Sequence, residues 1–364
     1  MAESSVKETK AQGPSRIEKL DSIRGIAALM VLIGHCGGVP LYGLTGNPGF
    51  WWLPTLWDGN SAVVMFFLLS GYVLALQLDS PRRPTYGGFL VRRIFRIWPA
   101  FAVGVAISFL ALRMTGTLVD AGPQNGPPST PPVSALVQNL FMVGNPVTID
   151  PPIWSLYVEA RLSILFPLLL LLVRRLGMAW AIMLSGVLSI LLSRFVSWDI
   201  PEIVRSLAEA SRYVVLFVIG AALAQPANPL AAVYKRLALF VKALCLAAAL
   251  LCLAYKFHPS AQVPFLRAYV SWVGMSLLFV LCLYSPLAER LLHHRIFLFL
   301  GRISYGLYLV HFPIMLMVKA RMTSPSSTAV VLIVSVLGGW ILNRWVEQPM
   351  IAVGRRLTSP PQSR

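Results

Sequence analysis

Reactive side chains stand out in this sequence because most of their neighbours are apolar. His35 closes the stretch LDSIRGIAALMVLIGH. An imidazole in a membrane span is costly and is kept for its proton or its hydrogen bonds, so His35 is the first candidate for a general base or nucleophile. Arg24 lies eleven residues earlier, which brings it to roughly the same helix face about 16 Å towards the N-terminus. In VRRIFRIWP, Arg93 and Arg96 are three residues apart and share a helix face. Guanidinium groups so placed suit phosphate or pyrophosphate, while Arg92 suits topology signalling and lipid headgroups. Glu159, in PPIWSLYVEARLSILFP, must be protonated, paired or turned to a polar cavity. Ser155 shares its face, Trp154 stands at the interface, and Arg161 points elsewhere. In FLGRISYGLYLVHFPIM, Ser304, Tyr308 and His311 follow i, i+4, i+7 spacing, which sets two hydroxyls and an imidazole in one row. Glu347, in NRWVEQPM, is expected to form a structural pair with Arg344 or Arg96.

The elements that must position these groups follow from composition. Hydrophobic residues make up 57% of the chain and charged residues 12%, against about 25% charged in soluble domains. With a mean hydropathy of +0.70 this is a polytopic, all-α membrane protein. Ten apolar runs read as transmembrane helices: 23–40, 61–78, 95–113, 153–173, 178–196, 211–225, 237–255, 268–285, 299–318 and 328–346. With the N-terminus inside, the inner segments hold 21 Lys and Arg and the outer ones 8, which predicts an N-in, C-in topology. The net charge of +17 is then topology and anionic lipid contact; basic residues scattered through short loops do not make a nucleic-acid surface.

One membrane domain is expected over 20–350, flanked by a polar cytoplasmic tail, 1–19, and a basic one, 351–364. The first tail lacks the apolar core of a cleavable signal. Cys36, Cys245, Cys252 and Cys282 show no metal-ligand spacing and read as buried free thiols. The Pro- and Gly-rich outer loop, 116–152, reads as irregular, with a short apolar stretch at 133–143 that suits the interface. It is either a cover for an external opening or a plain connector. No internal repeat is evident, which disfavours transporter folds built from duplicated halves.

Six phrases in order resemble the integral-membrane acyltransferase 3 family. They are LDSIRGIAALMVLIGH, VMFFLLSGYVLAL, RRIFRIWPAF, WSLYVEARLSILFP, LGRISYGLYLVHFP and NRWVEQP, spread over about residues 20–350. The resemblance implies a multi-pass protein of the bacterial cytoplasmic membrane. It would move an acyl group, commonly acetyl, from acyl-CoA to a sugar hydroxyl of a surface polysaccharide or lipid-linked saccharide. Carried onto matching positions, His35 is the catalytic histidine and Arg24 its paired cation. Arg93 and Arg96 stand in the motif linked with acyl-CoA, and Glu159 matches the family's acidic position. Where the family has Phe-Tyr soon after that glutamate, this chain has Leu162 and Ser163.

On this reading the arginines, with Arg24, hold the donor's phosphates, no metal takes part, and Glu159 orients or supports the imidazole. Trp154, Ser155, Ser304, Tyr308 and His311 line the substrate pocket. Many relatives carry a further C-terminal esterase-like domain; none is expected here, and the chain is then expected to act alone or to pass the acyl group to a partner. Competing expectations are a small-molecule acceptor such as a macrolide, a transporter or flippase for a lipid-linked glycan, and a noncatalytic envelope subunit. The sequence assigns no oligomeric state.

Overall fold

The computed structural model describes residues 14–36, 50, 52–80, 84–117, 130–143, 149–195, 202–258, 261–322, 324 and 326–358. Outside them lie most of the expected tail 1–19, residues 37–40 of the expected first span, 118–129 and 144–148 of the outer loop, and 359–364 of the basic tail. Among the described residues all regular structure is helical, as the apolar runs predict. In chain order the helices are α1 (Pro14–His35), α2 (Gly59–Leu78), α3 (Tyr86–Thr115), α4 (Val133–Leu140), α5 (Trp154–Phe195), α6 (Glu202–Arg212) and α7 (Val214–Ala224). There follow α8 (Leu230–Arg236), α9 (Leu239–Tyr255), α10 (Pro264–Tyr284), α11 (Pro286–Leu292), α12 (Arg295–Lys319), α13 (Ser326–Leu342) and α14 (Gln348–Thr358).

Among the described residues, seven helical stretches are long and apolar enough to cross a membrane: Gly59–Leu78, Tyr86–Thr115, Pro151–Ser193, Val204–Ala224, Pro264–Tyr284, Arg295–Lys319 and Ser326–Thr358. Helix α1 is not among them because Glu18, Lys19, Asp21 and Arg24 crowd its first half. The fourth and fifth expected spans form one helix interrupted at Gly177, whose φ of 78° is open to glycine at no steric cost. The sixth run reaches back to Val204, with Tyr213 between α6 and α7. Exposed Leu168, Trp180 and Ile333 are the kind of surface that lipid covers.

Both expected tails are partly helix. Helix α1 begins at Pro14, and Lys19 is buried with its ammonium donating to the Leu283 carbonyl at 2.8 Å. At the other end, a π-helical turn, Asn343–Glu347, leads into α14, which packs on α3. There Arg92 Nε donates to Thr358 Oγ1 at 2.6 Å, so Arg92 braces two helices. Glu347 accepts from Asn343 Nδ2 at 2.7 Å and has no arginine within ion-pair distance among the described residues, which corrects the expected pair. Asparagine one turn earlier is already on its face.

Helix α2 is the centre of the bundle, burying Phe67, Leu68 and Tyr72 and contacting α1, α5, α7 and α10. Beside it, α1 and α12 run together in the same direction. Gly25 meets the Leu300–Gly301 backbone, and Gly301 meets Asp21: a Cβ on Gly301 would lie 2.3 Å from the Asp21 carbonyl oxygen. Small residues allow this approach, and it fixes what faces what further along. Ten residues beyond each glycine stand His35 and His311. Gly301→Leu should therefore destabilise the protein by at least the ~1–3 kcal/mol of ordinary overpacking, measured as thermal midpoint in detergent. An unchanged midpoint would mean that the close approach carries no weight.

Candidate functional site

Two cavities lie along the α1–α12 pair, one lined by arginines and one by His35. The arginine cavity has about 70 Å³ of free space. Arg24, Arg93 and Arg96 reach it from α1 and α3, Glu159 and Ser155 from α5, and Ser304, Tyr305 and Tyr308 from α12. Three guanidinium groups face one carboxylate in this lining, so its excess charge is positive and suits an anion.

The three arginines are not equivalent. Arg93, buried, donates from its Nη2 to Glu159 Oε1 at 2.8 Å and to Ser163 Oγ at 2.7 Å. Its Nε has no hydrogen-bond partner among the described residues. Arg24 donates to Asp21 Oδ1 at 2.5 Å, one helical turn below it. Arg96 is exposed and makes no hydrogen bond or ion pair among the described residues, which leaves its fork free. Ser163, one of the two positions where the sequence departs from the family pattern, thus helps to hold Arg93.

Glu159 is placed differently from the role expected for it. It accepts from Arg93 and, at 3.2 Å, from Ser70 Oγ, and it lines the arginine cavity, not the cavity that holds His35. It neither orients nor contacts the imidazole. Arg24 likewise is no partner of His35: eleven residues of helix set them about 16 Å apart along the axis. Arg161, as expected, turns away, donating to Ser206 and to the Met142 carbonyl at 3.0 Å.

His35 is the last residue of α1, exposed at the end of the helix and lining a cavity of about 430 Å³. This is within the size range of small-molecule sites. Helix α1 ends at His35, five residues short of the predicted end of that span. Trp57, Asp58, Asn60, Trp154 and Tyr308 share the lining. The His35 Nδ1 lies 2.9 Å from the Val31 carbonyl, which can only accept, so this nitrogen carries the proton. In the neutral ring Nε2 is then the free base.

Asp58 was not singled out by its sequence context, although an aspartate just before Gly-Asn-Ser and a long apolar run is a helix-start signature. It caps α2, accepting from Asn60 N at 3.3 Å and Ser61 N at 3.2 Å, and it pairs with Lys256 and the Ser61 hydroxyl. Ser61 also meets Ser271 of α10 at 2.9 Å. With its oxygens so occupied, Asp58 shapes the cavity wall and is no free base. Sequence reasoning likewise passed over Ser70 and Tyr305, whose hydroxyl donates to the Ile97 carbonyl at 2.8 Å; neither residue type is unusual in a span.

The expected row of Ser304, Tyr308 and His311 is divided between the two cavities. Ser304, its hydroxyl donating to the Gly301 carbonyl at 2.8 Å, lines the arginine cavity. Tyr308 lines both cavities and forms the wall between them. Its hydroxyl donates to the Pro152 carbonyl at 2.5 Å and meets Ser155 Oγ at 2.8 Å, which holds the wall closed. His311 is buried behind His35 and lines neither cavity, which corrects its placement in the substrate pocket.

A family described as an acyltransferase domain matches residues 17–344, which contain both cavities. The chain belongs to the acyltransferase 3 family. The chain is also similar to Nodulation protein 10 of Rhizobium leguminosarum bv. viciae, 30% identical over 143 residues. That match covers 38% of this chain and 33% of the relative. No solved structure matches the chain. As a member of this family with this many apolar helices it is a multi-pass membrane protein.

Proposed function

We propose that this acyltransferase moves an acyl group, acetyl in the simplest case, from acyl-CoA to a sugar hydroxyl of a surface polysaccharide or its lipid-linked precursor. It would do so in the bacterial cytoplasmic membrane with both termini inside. The observation that carries the reading is that a cationic cavity and a histidine cavity share one wall, Tyr308. The donor's phosphates bind the free fork of Arg96 and the spare donors of Arg24 and Arg93 from the cytoplasmic side. Its pantetheine arm runs about 16 Å along α1 towards His35. The thioester arrives when Tyr308 leaves Pro152 and Ser155.

The acceptor occupies the histidine cavity, where Trp57 and Trp154 offer flat faces to a sugar ring and Asn60 a hydrogen-bonding amide. His35 Nε2 takes the hydroxyl proton as the oxygen bonds to the thioester carbonyl carbon. Collapse of the tetrahedral intermediate breaks the carbon–sulfur bond, and the proton passes from Nε2 to the departing thiolate.

The test uses purified protein in nanodiscs, labelled acetyl-CoA and an oligosaccharide acceptor. Arg96→Glu should raise the donor KM at least tenfold and leave the acceptor KM and the thermal midpoint unchanged, since Arg96 is exposed and unpaired. An unaltered donor KM would remove Arg96 from the donor site, and transfer that needs no acyl-CoA would remove the donor assignment itself.

A further inference from the structure

His311 is fully buried, carries an imidazole, and touches neither cavity, so it meets neither substrate. Its Nδ1 lies 2.6 Å from the Tyr308 carbonyl, an acceptor only, so the Nδ1 proton is directed there. The lone pair of the neutral ring is then on Nε2, which lies 3.4 Å from His35 Nδ1 with the ring centroids 5.1 Å apart. His35 Nδ1–H is already directed at Val31 O, so His311 Nε2 is a second acceptor for the same proton.

From this geometry we infer that His311 is a positioning residue for His35. Resting on the reading above, it holds His35 in the tautomer that leaves Nε2 bare and accepts from Nδ1–H while His35 carries the acceptor's proton. A carboxylate serves this purpose in many hydrolytic triads. Here the carboxylate that lines the His35 cavity, Asp58, is occupied by Lys256 and the α2 N-terminus, and Glu159, in the arginine cavity, by Arg93. A neutral imidazole supplies the acceptor without placing a further charge in the bundle. Its bond to Tyr308 ties the same ring to the wall between the cavities, so the base and the wall are set by one side chain.

The experiment compares His311→Asn, His311→Gln and His35→Ala in nanodiscs with acetyl-CoA and an oligosaccharide acceptor. Asparagine can still donate to the Tyr308 carbonyl but is too short to offer an acceptor to His35, whereas glutamine reaches that far. His311→Asn should lower kcat 10- to 100-fold with both KM values within about twofold of wild type, and His311→Gln should recover most of the loss. His311→Leu provides the same contrast with glutamine if the asparagine protein misfolds. A wild-type kcat in His311→Asn, a glutamine variant no better than asparagine, or a loss confined to KM would overturn the positioning role, while an inactive His35→Ala keeps the general-base reading intact. A fully active His35→Ala would overturn both.

Discussion

His35→Ala is expected to lower acyl transfer by about 10²–10⁴-fold while the protein folds as before. The two halves of this expectation rest on different observations. The rate falls because Nε2 of His35 is the one unprotonated ring nitrogen lining the cavity among the described residues, and no carboxylate there is free to replace it. Folding is spared because the side chain is exposed at the end of α1 and is held only by the Val31 carbonyl and His311. Both acceptors stand beside a cavity that water can fill once the ring is gone. Single-turnover transfer of labelled acetyl, run beside a thermal melt, separates the two. Residual transfer near the wild-type rate would exclude His35 as base and as nucleophile alike.

The second large effect is one of stability. Arg93→Leu strands the Glu159 carboxylate with Ser70 as its remaining partner and takes a donor from Ser163. Breaking a buried ion pair from one side costs about 3–5 kcal/mol because the remaining charge is uncompensated, and side-chain exposures of 11% and 22% put this pair largely out of water. Adding Glu159→Gln should return most of that stability, since no charge is then stranded, but not acyl transfer, since one guanidinium of the proposed donor site stays absent. Thermal midpoints of the single and double variants, with transfer rates on the same samples, test both halves. An Arg93→Leu protein as stable as wild type would show the pair to be hydrated.

The contrast between Arg93 and Arg96 shows how far spacing reaches. Three residues apart on one helix, they share a face, and both do line the same cavity. Nothing in their spacing says that one is already bound to Glu159 and Ser163 while the other is free. That depends on how α5 lies against α3. Trp154, Ser155 and Tyr308 stand out in the sequence because they are polar or amphipathic in a bundle of leucine and valine, and each lines a cavity. Ser304 was legible for the same reason, and it does face a cavity. His311 looked equivalent to them and is not, because it sits behind His35 and not in a wall.

By itself the sequence determined that this chain is a bundle of membrane helices, which family it resembles, and which few side chains are reactive. These properties are local: an apolar run of about 20 residues can satisfy its backbone in hydrocarbon only as a helix, and an ionisable residue within one is conspicuous. The tertiary structure decided which of those side chains meet. A helix as evenly apolar as α2 has no polar face to fix its rotation, so sequence periodicity does not say what it faces. The approach of Gly71 to the Phe217 backbone of α7 fixes it, and the glycine contact of α1 with α12 brings together His35 and His311, 276 residues apart. The same packing moved Glu159 from the histidine to Arg93 and set Tyr308 between two cavities.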